Sequence, residues 1–480
     1  MSFVSIQFLL FLPIVFLLYW FVFRQTKWQN LFIVATSYVF YGWWDWRFLL
    51  LMAFTSACCY CGGLLISKYE SRPRLTKYIT AANVLINLAI LGVFKYYNFF
   101  VDNLDVLLRQ CGMQVDWPTA NIILPVGISF YTFQAIGYCV DVYKKRVEAS
   151  RNPVEFFAFI SFFPQLVAGP IEKASDMLPQ FRQRRTFNYS RAVDGSRQML
   201  WGMFKKVVIA DNCAPLVNST WEQIGTTSGV NLVLVMILFT FQIYCDFSGY
   251  CDIAIGCAKL FGFKLRSNFN YPYFSRSIPE FWRRWHISLQ VWFKDYIYIP
   301  LGGSRCSRGR CLFNILVVFF ASGLWHGPDW SFVCWGVAHG LVCGVYALTG
   351  AKTKYGHNVG WQRMLPSPKE LLMIATTFAI ASLFWVLFRA PDMGEAIAFY
   401  KQMFNPATFA ASDLAGLKVF ALCAVLLVVE WTKRNNTHVL ELAGHGLMRY
   451  QWARWTLYVG LTLAILFAQN AQQDFIYFQF

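Results

Sequence analysis

Two histidines set in tryptophan-rich sequence are the residues of this chain with the clearest capacity for chemistry. His286 lies in the segment 281–290, FWRRWHISLQ, and His326 lies in the segment 322–327, SGLWHG. The second histidine follows an apolar run, 311–325, that is long enough to enter a bilayer. A charge at the centre of a membrane costs roughly 2.5–3.5 kcal/mol on insertion scales, so an ionisable residue at that depth predicts a functional site. Histidine is also the side chain best suited to moving a proton near neutral pH.

His326 is the stronger candidate of the two. Gly323 and Gly327 flank it, so the backbone can bend and a substrate can approach closely. It also ends its apolar run directly after Trp325. The alternative for His326 is a core histidine bonded to a carbonyl group, and for His286 a structural hydrogen-bonding residue. The remaining histidines lie in less suggestive settings and receive no role: His339, His357, His438 and His445.

Two aspartates lie in the apolar segment 244–256, YCDFSGYCDIAIG. Asp246 and Asp252 would be costly in lipid without partners, whereas Ser248 and Gly249 allow a second backbone to approach closely. A spacing of six does not place both carboxylates squarely on one helical face, which argues against an acid/base pair. The sequence predicts buried salt links from these aspartates to nearby arginines, with lining of an internal chamber as the alternative.

Composition identifies the broad class. Of 480 residues, 57% are hydrophobic and only 14% are charged, whereas a soluble chain carries about 25% charged residues. We therefore predict an all-α polytopic membrane protein with about 11–13 transmembrane and re-entrant helices. Residues 1–480 are expected to form a single membrane-embedded domain with its core motifs at about 120–345. The run 162–170, FFPQLVAGP, predicts a broken helix, and such backbone survives at membrane depth only when it is buried or lines a cavity. We therefore also predict a central chamber enclosed by the helices.

The charge balance favours membrane orientation over nucleic-acid binding. Lys and Arg total 42 against 25 Asp and Glu, and much of the excess lies in 172–206 and 259–310. Basic loops of membrane proteins face the cytoplasm, so we expect both segments there and no nucleic-acid partner. A second use is to attract an anionic donor such as a coenzyme A thioester. The fourteen cysteines show no disulfide or zinc spacing, so no metal site is predicted.

Several motifs that would define other classes are missing from the sequence. It contains no Gly-x-Ser-x-Gly, no phosphate-binding Walker loop and no His-Glu-x-x-His, and neither candidate histidine begins a His-x-x-x-x-Asp box. A serine hydrolase, an ATP-driven pump and a zinc protease are therefore disfavoured.

The segment 283–305, RRWHISLQVWFKDYIYIPLGGSR, followed by GLWHG at 323–327, resembles the membrane-bound O-acyltransferase family. It is most similar to the branch that contains the alginate O-acetylation proteins. Further segments have the character of that branch: 94–100, 124–134, 163–170 and 475–480. The resemblance implies that His326 is the family's essential histidine. It places His286 at a second position that is Asn, Asp or His in different branches.

The resemblance also implies a fold and an activity. The fold is a bundle of transmembrane and re-entrant helices around a chamber that joins the cytoplasmic and outer faces. The activity, in the bacterial inner membrane, passes an acetyl group from acetyl-CoA or another cytoplasmic thioester to periplasmic acetyltransferase partners. The final acceptor is an exopolysaccharide such as alginate, and no tightly bound cofactor is expected. His326 would act as general base on an acceptor hydroxyl, or would itself carry the acyl group, while His286 orients a substrate or stabilises charge.

Other functions remain open from the sequence. Cellulose or peptidoglycan O-acetylation and D-alanyl transfer to teichoic acid use the same motifs. A non-enzymatic transporter of polysaccharide or acyl donor also has broken helices and buried ionisable residues. A lipid-remodelling acyltransferase is a further alternative. Chemistry separates these classes, because a transporter moves its substrate unchanged, a transferase makes a new ester, and a lipid-remodelling enzyme alters phospholipid acyl chains.

Overall fold

The described part of the chain is helical throughout. The computed structural model describes residues 1–113, 122–351, 355, 357–360, 363–409, 416–442, 446–468, 473, 475 and 476. Within these ranges the regular structure consists of α-helices with short 3₁₀ and π-helical segments, and it includes no strand. The predicted all-α class is therefore confirmed.

Nine α-helices lie in the N-terminal part of the described chain: α1 Ile6–Leu17, α2 Thr26–Gly42, α3 Arg47–Lys68, α4 Pro73–Leu91, α5 Tyr97–Gln110, α6 Ile128–Tyr143, α7 Pro153–Ser161, α8 Phe163–Leu166 and α9 Ala174–Arg182. The following α-helices are α10 Tyr189–Met203, α11 Asp211–Trp221, α12 Gly229–Leu260, α13 Ile278–Arg284, α14 Ile287–Phe293, α15 Arg308–His326, α16 Trp330–Thr349, α17 Pro368–Arg389, α18 Met393–Met403, α19 Leu417–Lys433 and α20 Gln451–Phe467.

The helices group into two compact units. The first contains Met1–Tyr189 and Ala258–Leu265, and the second contains Ser190–Cys257 and Arg266–Phe480. Both candidate histidines lie in the second unit. The expectation of one functional domain over 1–480, with core motifs at about 120–345, stays a prediction.

Six helical segments in the described residues are long and apolar enough to cross a bilayer, and a shorter apolar helix, Ile6–Val22, precedes them. The six are Arg47–Lys68, Pro73–Gln110, Gly229–Leu260, Arg308–His326, Trp330–Thr349 and Pro368–Arg389. The chain is therefore a multi-pass membrane protein. The total of 11–13 segments and the central chamber remain predictions.

The broken run 162–170 lies in the first unit, where every one of its residues is buried. Helix α7 ends before it, and α8 supplies only one turn. Side chains form hydrogen bonds with backbone groups that the helix break leaves without helical partners. The Phe163 amide donates to Ser37 Oγ at 3.1 Å, and the Phe159 carbonyl accepts from the Gln134 and Gln165 side-chain amides, each at 2.9 Å. The predicted helix break is confirmed, and its polar backbone is enclosed by protein.

In the second unit, glycines let α15 and α16 pack with their backbones in contact. A Cβ added at Gly323 would overlap the Phe332 carbonyl, and one added at Gly336 would overlap the Phe319 carbonyl. Only glycine permits this approach, and it fixes the end of α15, where His326 lies, against α16. The same device joins α10 to α12, because a Cβ at Gly249 would lie 2.7 Å from the carbonyl oxygen of Gly202.

We predict that Gly323→Ala destabilises the protein, because the added methyl forces α15 away from α16. Overpacking of this kind costs about 1–3 kcal/mol. The midpoint of thermal unfolding in detergent should therefore fall by several degrees. Gly309→Ala, in the same helix but with open space around its Cα, is the matched control and should leave the midpoint unchanged or slightly higher. Equal midpoints for the two variants would contradict the proposed close packing.

Candidate active site

His286 occupies a tight turn between α13 and α14. Its backbone is left-handed, with φ 46° and ψ 53°, and its side chain is fully buried. A left-handed conformation costs a residue with a Cβ roughly 1–2 kcal/mol, and Asn, Asp and His are the non-glycine residues that adopt it most often. His286 is therefore one of the residue types that such a turn tolerates best, and its side chain can also form hydrogen bonds.

His326 is the last residue of α15 and is 4% exposed. Aromatic rings surround its imidazole. The ring centroids of Trp325, Trp335 and Phe388 lie 4.9, 5.0 and 5.2 Å from that of His326, each close to perpendicular. Gly327 follows in an extended conformation and ends the helix. This environment excludes water from most of the imidazole surface.

The fold brings the two predicted histidines together. Their ring centroids are 6.5 Å apart, and Trp325 contacts both imidazoles, at 6.0 Å from His286 and 4.9 Å from His326. Phe247 of α12 also packs against His286, with ring centroids 4.7 Å apart. The sequence predicted both residues separately, and the structure places them in one buried site. Their catalytic roles remain a proposal.

Burial sets the charge of His286. Loss of solvation lowers the pKa of this imidazole to about 3, so it is neutral throughout the physiological range. A neutral imidazole has one nitrogen that donates and one that accepts a hydrogen bond. It can therefore hold a hydroxyl or a carbonyl group without introducing a charge into an apolar site.

A third histidine, His339, supports this site and was given no role by the sequence. It is fully buried on α16, and its Nδ1 accepts a hydrogen bond of 3.2 Å from Trp282 Nε1. Because Trp282 lies on α13, just before the turn of His286, this bond ties that turn to α16. Trp335, one helical turn before His339, packs against His326 at 5.0 Å. The i, i+4 spacing of Trp335 and His339 was a signal in the sequence that both face the same interior.

The two aspartates of α12 form buried ion pairs with lysines. Asp252 lies 2.7 Å from Lys205 Nζ, and Asp246 lies 2.7 Å from Lys206 Nζ, which also contacts Asp211 at 2.7 Å. The predicted arginine partners were wrong. The lysines lie in the π-helical segment Phe204–Ala210, which directly follows the contact between α10 and α12. The predicted close approach at Gly249 is confirmed, and it brings the lysines within reach.

This ion cluster also holds the end of the described chain. Lys206 Nζ donates to the Gln473 carbonyl at 3.0 Å, and the Ile476 amide donates to Asp246 Oδ2 at 2.6 Å. Phe475 packs on Tyr250 with ring centroids 4.6 Å apart. The resemblance included 475–480, of which only the first two residues are described.

A small polar cavity of about 30 Å³ lies beside the cluster, large enough for a water molecule or two. Its lining includes Lys205, Tyr244, Asp252, Asn268, Glu430 and His438. The Tyr244 hydroxyl donates to Glu430 at 2.8 Å, and His438 Nε2 lies 2.9 Å from Asp194. His438 is thus hydrogen-bonded to Asp194. His357 is exposed, and His445 lies outside the described residues.

Comparison with known proteins identifies the family of this chain. Residues 145–350, which contain both histidines, match the membrane-bound O-acyltransferase family. A protein of Pseudomonas aeruginosa named probable alginate O-acetylase AlgI is 38% identical over 88% of this chain and 79% of its own length. The chain belongs to the membrane-bound O-acyltransferase family. It is an O-acyltransferase that crosses the membrane several times.

Two further relatives match nearly from end to end. A protein of Pseudomonas putida, also named probable alginate O-acetylase AlgI, is 34% identical over 98% of both chains. The peptidoglycan O-acetyltransferase of Helicobacter pylori is 31% identical over 98% of this chain and 95% of its own. Relatives with different named acceptors thus match nearly the whole length of this chain.

The low pKa of His286 predicts the pH dependence of acyl transfer. Since His286 stays neutral from pH 5 to 8, its titration should not change the rate of acyl transfer in that range. The profiles of wild type and His286→Asn, a change that keeps a residue tolerant of the left-handed turn, should therefore have the same shape even where their rates differ. A loss of activity below pH 6.5 in wild type that is missing from His286→Asn would show that His286 titrates at its ordinary pKa.

The buried ion cluster predicts a large effect on stability. Lys206→Met leaves two buried carboxylates without their cation, which costs about 3–5 kcal/mol. The variant should show reduced membrane abundance and a much lower unfolding midpoint in detergent. Arg47→Met removes a more exposed pair with Asp45 and is the control; because solvent screens that pair, the midpoint should change little. Similar midpoints for both variants would refute a structural role for the cluster.

Proposed function

We propose that this protein transfers acetyl groups for O-acetylation of an exopolysaccharide such as alginate, in the inner membrane of a bacterium. The observation that carries the proposal is the pair of buried histidines, 6.5 Å apart, inside the region that matches the acyltransferase family. The polymer is suggested by relatives named alginate O-acetylase that match up to 98% of the chain. The donor is acetyl-CoA or another cytoplasmic thioester, bound as a substrate. The acetyl group passes to a periplasmic acetyltransferase partner.

His326 is the proposed catalytic base. It takes the proton of the acceptor hydroxyl as that oxygen attacks the thioester carbonyl, and the C–S bond breaks as the new ester forms. The proton then passes from the imidazolium to the departing thiolate, so the histidine is regenerated. Catalysis of this kind contributes about 10²- to 10⁴-fold. In the alternative route, a ring nitrogen of His326 attacks the thioester carbonyl, the C–S bond breaks, and the imidazole proton passes to the departing thiolate. The acceptor hydroxyl oxygen then takes the acetyl group from the nitrogen, and its proton returns to the ring.

His286 is proposed to hold a substrate group by hydrogen bonding. Its neutral imidazole, close to that of His326, can fix the acceptor hydroxyl or the thioester carbonyl in position for attack. The surrounding tryptophan and phenylalanine rings keep water away from the thioester, which limits hydrolysis. They also strengthen the hydrogen bonds formed in the site, because few water dipoles screen them.

The decisive experiment measures O-acetyl content of the secreted polysaccharide in a deletion strain. We expect wild type to restore acetylation and His326→Ala to restore none at equal membrane abundance, since the proposed base is missing. His357→Ala, at an exposed histidine, is the matched control and should restore acetylation fully. Rescue by His326→Ala would refute the catalytic role. Loss of the polymer itself in the deletion strain would favour a transporter.

Peptidoglycan O-acetylation is the second candidate. It is supported by the Helicobacter pylori relative, which matches 98% of this chain. The same strains distinguish the two acceptors, because loss of O-acetyl groups from muramic acid with unchanged exopolysaccharide would select peptidoglycan. If the acceptor is cellulose, the deletion strain should lose acetyl groups from cellulose. If the reaction is D-alanyl transfer to teichoic acid, it should lose D-alanine esters from the wall.

A further inference from the structure

The N-terminus of α14 is capped by a residue that is distant in sequence. His286 occupies the N-cap position of this helix, yet its side chain makes no capping hydrogen bond. The first amides of a helix have no partner within the helix and normally bond to the N-cap side chain. Here the Ser288 amide donates to Asn268 Oδ1 at 3.1 Å, and the Ile287 amide donates to the Asn268 carbonyl at 2.9 Å. Asn268 alone thus satisfies two helix-terminal amides.

Asn268 is held firmly in this position. Its side chain is fully buried, and its Nδ2 lies 3.5 Å from Cys251 Sγ of α12, a weak acceptor. That contact orients the amide so that Oδ1 faces α14. Two residues later, the Asn270 amide donates to the Arg284 carbonyl at 3.0 Å, on the other side of the turn. The turn of His286 is therefore bracketed by hydrogen bonds from one short segment.

These hydrogen bonds offset the backbone strain at His286. The left-handed backbone of His286 costs roughly 1–2 kcal/mol and persists only where the surroundings impose it. Without the Asn268 acceptor, the arrangement of lowest free energy would be one in which the turn relaxes or the imidazole of His286 itself accepts from the α14 amides. Either change would draw that imidazole away from His326.

We propose that Asn268 is a positioning residue for acyl transfer: it caps α14 in place of His286, holds the left-handed turn, and leaves the imidazole of His286 facing His326. This inference rests on the proposed function of the two histidines and adds a residue that the sequence did not single out. Asn268 acts through His286.

Three substitutions test the proposal. Asn268→Leu keeps the size of the side chain and removes the acceptor. Asn268→Asp keeps an oxygen for the Ser288 amide, at a helix N-terminus where negative charge is favourable. Asn270→Leu is the matched control, because its side chain is exposed and only its backbone takes part in the bracket. Acetyl transfer from labelled acetyl-CoA is measured with purified protein in proteoliposomes.

We expect Asn268→Leu to lower kcat by about 10- to 100-fold, the scale of an error of about 1 Å in placing a catalytic group. KM for the donor should change little. Asn268→Asp should restore most of the rate, and Asn270→Leu should match wild type. Full activity of Asn268→Leu would overturn the proposal. If that variant does not accumulate, Asn268→Ala makes the same comparison with less disturbance of the packing.

A double-mutant cycle separates positioning from general structural support. If Asn268 acts through His286, Asn268→Leu should cause little further loss when His286 is already alanine. A full additional loss in that background would show a structural role and overturn the proposal. If His286→Ala itself keeps full activity, the proposed function of His286 fails first. Loss with His286→Ala but not with Asn268→Leu refutes the capping inference alone.

Discussion

The structure depends on one constraint: each polar group that the fold buries must find its hydrogen-bond or ion-pair partner inside the protein. The broken run 162–170 meets it by bonding its backbone to side chains such as Ser37. The aspartates of α12 meet it by ion pairing with two adjacent lysines. The first amides of α14 meet it through Asn268. The capping of α14 therefore does not rely on the imidazole of His286.

The aromatic residues of the second unit enclose the candidate site. Around His326 they form a wall of rings at about 5 Å, and one of them, Trp325, contacts both histidines. These close-packed rings bury both imidazoles and hold them near each other. In the proposed reaction they would also limit hydrolysis of the thioester. The glycines of α15 and α16 bring that wall together, because larger residues would separate the two helices.

Much of this arrangement could be predicted from local sequence. The composition gave the membrane class, and the setting of His286 and His326 marked them as candidates before their proximity was known. Predictions failed where the answer depended on packing between distant segments. The partners of Asp246 and Asp252 are lysines because a π-helical turn follows the contact at Gly249, which no spacing rule shows. Roles for His339 and Asn268 likewise become visible only when their hydrogen-bond partners are known.

The central claim is that His286 and His326 work as one site, and their coupling tests it most directly. Transfer from labelled acetyl-CoA should be measured in proteoliposomes for wild type, His286→Ala, His326→Ala and the double variant. The account predicts that the double variant is no slower than His326→Ala, because His286 orients a group on which only His326 acts. Independent, multiplicative losses from the two substitutions would contradict it.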